Sequence, residues 1–180
     1  MALALPESEV PNSHSAPVQR LSSGRQTFPP VSDASCERLL DVMTGETASA
    51  VVGQTFNWVD DIWGGDSLLA SYPEATAREE FRAARDSLKT CKSFTGVAWA
   101  GECAAEVTVE KAPALGDEAL SFHLISQLPD GGGQRDAHHV LVRTGTTVVD
   151  FHKLNVDARA QFPLALIGKQ VDRLSAAQSG

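Results

Sequence analysis

From Val31 onward the apolar positions recur regularly, and their period changes along the chain. In ASCERLLDVMTG, Cys36, Leu39, Leu40 and Met43 share one stripe at helical spacing, which predicts an amphipathic helix. Ser32 and Asp33 can cap its start and Gly45 its end. Residues 50–64, AVVGQTFNWVDDIWG, alternate and are rich in Val, Phe and Trp. They predict strand up to a turn at Gly64-Gly65, with LLASY as a short strand after it. Pro73 opens the longest helical pattern, from about Glu74 to Cys91, with Phe81, Ala84 and Leu88 inward. That stretch is acidic early and basic late, matching the helix dipole.

SFTGVAWAGE, CAAEVTVEKA, EALSFHLISQL, AHHVLVRT and TTVVDFHKL read as strands. Turn signals stand at Gly116-Asp117, at Asp130 to Gly133 and at Thr144-Gly145-Thr146. The last segment, from about Asp157 to Gln178, reads as helix. Pro163 sits near its first turn, and Leu164, Ile167, Val171 and Leu174 form its inward stripe. This order predicts an α+β fold in which an antiparallel sheet carries about three helices on one face. Residues 1–30 show no sustained period and are rich in turn formers. They are expected to be a flexible N-terminal segment ahead of one domain spanning 31–178. They contain no basic n-region followed by a long apolar run, so an intact signal peptide is not expected.

Charge narrows the partners. The chain has 180 residues, 15 Lys plus Arg against 23 Asp plus Glu, and a net charge of −8. That balance argues against nucleic acid, which needs a clustered basic surface, and against docking on anionic lipid. No apolar run is long enough for a transmembrane segment. The length suits one domain that can bury its own core.

Cys36, Cys91 and Cys103 show no spacing that suits a metal, so neither a metal site nor another cofactor is expected. Helical phase turns Cys36 and Cys91 inward. Phase alone leaves two readings open, buried thiols or one bridge plus a free thiol.

No nucleophile elbow, phosphate-binding loop or dinucleotide fingerprint is present. Adjacent His138 and His139 must point to opposite faces of a strand. Asp150 and His152 share a face on the last strand, with Arg143 just across the hairpin. There an acid, a base and a cation could converge, or form only a solvated charge cluster. His123 lies on the strand with Ser121 and Ile125. Asp60 and Asp61 sit between Trp58 and Trp63, where apolar walls would raise a carboxyl pKa. Trp58, Trp63 and Trp99 either line a pocket for a greasy ligand or are plain core.

The segments VSDASCERLLDVM, LLASYPEATAREEFRAARDSLKTCKSF, GDEALSFHL, VLVRTGTTVVDF and IGKQVDRL together resemble a known family. It is the actinobacterial extracellular sensor-domain and secreted-lipoprotein family, typified by the extracytoplasmic domain of PknH-type Ser/Thr kinases. The resemblance covers residues 31–176. It implies a curved antiparallel sheet with packed helices and a cleft. It also implies a Cys36–Cys91 disulfide, with Cys103 left as a free thiol. The family is regarded as ligand binding and brings no agreed catalytic residues.

The resulting expectation is a secreted or tethered, extracytoplasmic, non-catalytic domain for a small apolar molecule. Trp58, Trp63, Trp99 and Phe122 would supply contact surface, and His123 and Arg143 orientation. The alternative is a cofactor-free enzyme, a cyclase or isomerase acting on a hydrophobic biosynthetic intermediate. Its candidate catalytic residues are Asp150, His123, Arg143 and Asp61.

Overall fold

A computed structural model describes residues 3–21, 30–98 and 101–178. In chain order the elements are β1 (Ser13–Ser15), β2 (Val18–Leu21), α1 (Ala34–Thr44), β3 (Ala50–Trp58), β4 (Gly65–Ser71) and α2 (Glu74–Thr90). They continue with β5 (Ser93–Ala98), β6 (Gly101–Glu110), β7 (Glu118–Gln127), β8 (Gln134–Thr144), β9 (Thr147–Val156) and α3 (Leu164–Gln178). The nine strands form one sheet in the order β1-β3-β4-β9-β8-β7-β6-β5, with β2 also paired to β3. Every pairing is antiparallel. The described residues form an α+β fold, with an antiparallel sheet and three α-helices.

The helices divide between the two faces of the sheet rather than sharing one. Leu39, Leu40, Phe81 and Leu88 of α1 and α2 pack with Phe122, Leu141 and Val148. Leu166, Ile167, Val171 and Leu174 of α3 pack with Val140, Val142, Val149 and Phe151. Alternation along β8 explains the split, since Leu141 points one way and its neighbours Val140 and Val142 the other. Both faces are covered, so β8 and β9 are buried over most of their length.

The α1 caps are as the sequence reads. The Asp33 carboxylate accepts from the Ser35 and Cys36 N–H groups, and Gly45 ends the helix at φ 63°. A Cys36–Cys91 disulfide ties the first turn of α1 to the residue just past α2. Cys103 is free.

Three local readings need correction. Residues 59–64 are a turn, not a strand: Asp60 takes φ 63° and Gly64 φ 57°. Asp61 Oδ1 accepts from the N–H groups of Trp63 and Gly64 and closes that turn. At its far end, Gly65 leaves room for the Trp58 ring, which a Cβ would meet at 2.8 Å. Helix α3 starts only after Pro163, so Leu164 is exposed and Leu166 takes its place in the core. Residues 3–21 are not a loose lead-in. β1 and β2 pair along β3, and Leu5, Val10 and Ala16 are buried under α3. The buried Gln54 side chain accepts from Leu5 N–H and donates to the carbonyls of Leu5 and Ala16. The segment borrows its order from a distant strand, which local periodicity does not record.

Candidate functional site

On the α1 and α2 face, a cavity of about 450 Å³ lies between α1 and the sheet. Leu40 and Met43 of α1, with Leu68, Phe94, Leu124 and Ala137, give it apolar walls. Its polar lining comes from Asp66 on β4, Arg135 and His139 on β8, and Asp150 and His152 on β9. Strand register makes this cluster. Asp66 lies opposite His152, His152 opposite His139, and His139 opposite Phe122, in one row across four strands. The rings stack along that row, His152 on His139 at 4.6 Å and His139 on Phe122 at 5.4 Å.

With Asp150, two positions before His152 on β9, the row makes two aspartate–histidine pairs. His139 Nδ1 lies 3.1 Å from both Asp150 oxygens, and that pair is buried. His152 Nδ1 lies 2.9 Å from Asp66 Oδ2, and that pair is more open to solvent. Burial raises the Asp150 carboxyl to about 8, even with His152 nearby to lower it. Burial, with neighbouring His152, pushes His139 well below its ordinary value. The buried pair therefore keeps its proton on the acid at neutral pH, while His139 resists becoming a cation.

A second polar cluster lies on the α3 face. His123 Nδ1 is 2.6 Å from Asp136 Oδ1, and His138 Nε2 is 3.0 Å from Glu110 Oε1. Ser121 Oγ donates to Glu110, and Arg159 pairs with Glu110 from outside. Burial opposes the Glu110 charge. Hydrogen bonds from Arg159 and Ser121, with the nearby histidines, outweigh it and bring Glu110 down to about 2. Burial and the neighbouring His123 bring His138 down to about 4.

Ligand atoms of Glu110, His123 and His138 lie within 4.8 Å of one another, a spacing a cation could bridge. The hydrogen bonds oppose that use. The Phe162 N–H donates to His138 Nδ1 at 3.0 Å, so the ring proton sits on Nε2 and blocks the ligating lone pair. The cluster instead fastens residues 157–163 to the sheet, with Ala160 N–H donating to Asp136.

Of the sequence candidates, Asp150 and its strand neighbour His152 line the cavity beside α1. Phe122 is fully buried beneath His139 and belongs to the core. His123 is on the opposite face, in the second cluster. Arg143 does not meet Asp150: it is bound to Asp117, Glu118 and the Gly145 carbonyl at the end of the β8–β9 hairpin. Asp61 pairs with Lys153. Trp58 stacks on Phe56 and meets Phe162 edge-on, and Trp63 is exposed on the turn. Trp99 lies outside the described residues. Cys103 borders the cavity. Sequence reasoning missed His139 and Asp66 as site residues. The adjacent histidines were a signal for His139; Asp66 comes from a strand 84 positions before Asp150 and gave none.

No family model and no curated protein matches the chain. Among solved structures, the extracellular domain of PknH from Mycobacterium tuberculosis superposes with a TM-score of 0.67. It is 18% identical, and the match covers 99% of this chain and 93% of that one. The chain has the fold of that domain. A protein of Mycobacterium smegmatis, an Rv0999 ortholog, matches more distantly, at a TM-score of 0.40 and 12% identity over 96% of this chain and 90% of that one.

Proposed function

We propose that this chain is an extracytoplasmic domain that binds a small, largely apolar molecule in the cavity beside α1. The observation that carries this reading is the cavity itself: about 450 Å³, with largely apolar walls and polar groups from β4, β8 and β9 converging on it. That combination is the usual form of a small-molecule site. The location rests on the Cys36–Cys91 disulfide, a bond favoured outside the reducing cytosol, and on a fold shared with an extracellular domain. No helix among the described residues is long and apolar enough to cross a membrane.

The test is a thermal-shift screen against lipids and apolar metabolites, run on the wild type and on Leu40→Trp, which fills the cavity from α1. A hit should raise the wild-type melting temperature and leave the filled variant unmoved. Equal shifts in both proteins would place binding elsewhere, and no shift with any compound would count against the reading.

A further inference from the structure

We propose that the cavity is also an acid–base site, one that moves a proton between carbon and oxygen of a small apolar ketone. The inference goes beyond binding and rests on the same cavity. Its basis is the pairing of two aspartate–histidine units in different surroundings, their rings 4.6 Å apart, both lining one apolar space. Two titratable pairs held side by side in different surroundings can take the separate tasks of acid and base.

The Asp150–His139 pair is the acid. It is buried, with Nδ1 of His139 3.1 Å from both Asp150 oxygens. Its raised carboxyl value is consistent with a group that still holds a proton to give at neutral pH. The Asp66–His152 pair is the base. The Asp66 carboxylate accepts from Nδ1 of His152, which fixes the ring and leaves the lone pair on Nε2. Neighbouring rings stacked this closely can address adjacent centres of one bound molecule. The remaining charge in the lining is the Arg135 guanidinium, and α1 contributes Leu40, Met43 and Thr44.

The step balances without an electron acceptor. His152 Nε2 takes a proton from the carbon beside the carbonyl, and the C–H pair becomes the C=C bond of the enol. The carbonyl π pair closes on the proton released by the Asp150–His139 unit. Return of one proton to carbon and one to Asp150 restores the protein. Substrate and product are isomers.

The experiment uses cyclohexanone and 2-tetralone as probes in deuterated buffer. NMR follows loss of the α-proton signals, and saturation transfer in the same tubes reports binding. The expected result is exchange faster than in buffer alone. Exchange should be slowed about 100-fold by Asp150→Asn and by His152→Gln, with both variants still binding the ketone. His152→Gln alters a partly solvated side chain, so it keeps the test valid should the buried Asp150 variant fold poorly. Bound ketone that exchanges only at the buffer rate overturns the inference and leaves the binding reading standing. So does exchange that survives both substitutions. Absence of saturation transfer from either ketone counts against the binding reading and the inference together.

Discussion

At the residue scale, Asp150 shows what burial does to a carboxyl. It holds its proton up to about pH 8 in the folded chain, against an ordinary value of 3.8. Folding therefore takes up a proton between those values. The contribution is fully present below the unfolded value and is lost as pH rises toward 8. Asparagine does not titrate, so Asp150→Asn should gain on the wild type by about 1 kcal/mol per pH unit through that window. Urea midpoints of both proteins at about pH 5 and about pH 8 check this, and parallel curves would contradict the assignment. Half of this cluster was readable in the sequence, because Asp150 and His152 alternate on one strand. Asp66 and His139 join them through cross-strand register, and register is a property of pairs of strands. Arg143, read as a partner, sits on the right face but at the wrong height, where Asp117 and Glu118 already hold it.

At the element scale, local chemistry carried most of the fold. The Asp33 cap, the Gly45 stop and the two inward cysteines mark α1 and α2 without help from elsewhere. Thiol titration should find one reactive group per chain in denaturant, Cys103, and three after reduction. Three without reduction would argue against the bridge. Replacing Cys36 and Cys91 together by Ser should cost about 2–5 kcal/mol, read as a fall in the urea midpoint. The N-terminal strands were illegible for the opposite reason. β1 and β2 are short, and their order depends on β3 and on one buried amide, Gln54. Gln54→Ala strands the backbone groups of Leu5 and Ala16 and should cost about 1–3 kcal/mol. Hydrogen exchange should then rise first in residues 3–21 and leave α1 and α2 protected.

At the scale of the whole molecule, the cluster on the α3 face loses stability in acid, while Asp150 on the other face gains it. Glu110 stays ionised down to about 2 when folded, against 4.5 ordinarily, so its contribution is present above 4.5 and lost toward 2. His138 resists protonation down to about 4 against 6.5, so stability drains as pH falls through that window too. Midpoints of Asp150→Asn, which lacks the opposing Asp150 contribution, should decline from about pH 7 to about pH 3, and adding Glu110→Gln should flatten the lower part of the curve. The neighbours His138 and His139 have one further consequence. They assign a whole polar cluster to each side of β8, which behaves as a printed sheet with a different text on each side. Alternate positions can be rewritten without disturbing the reverse. An insertion or deletion of a single residue in that strand would turn the page over, setting His138 and Asp136 toward α1 and His139 toward α3. Change in the ligand site is thus open to substitution along β8 and closed to any shift in its length.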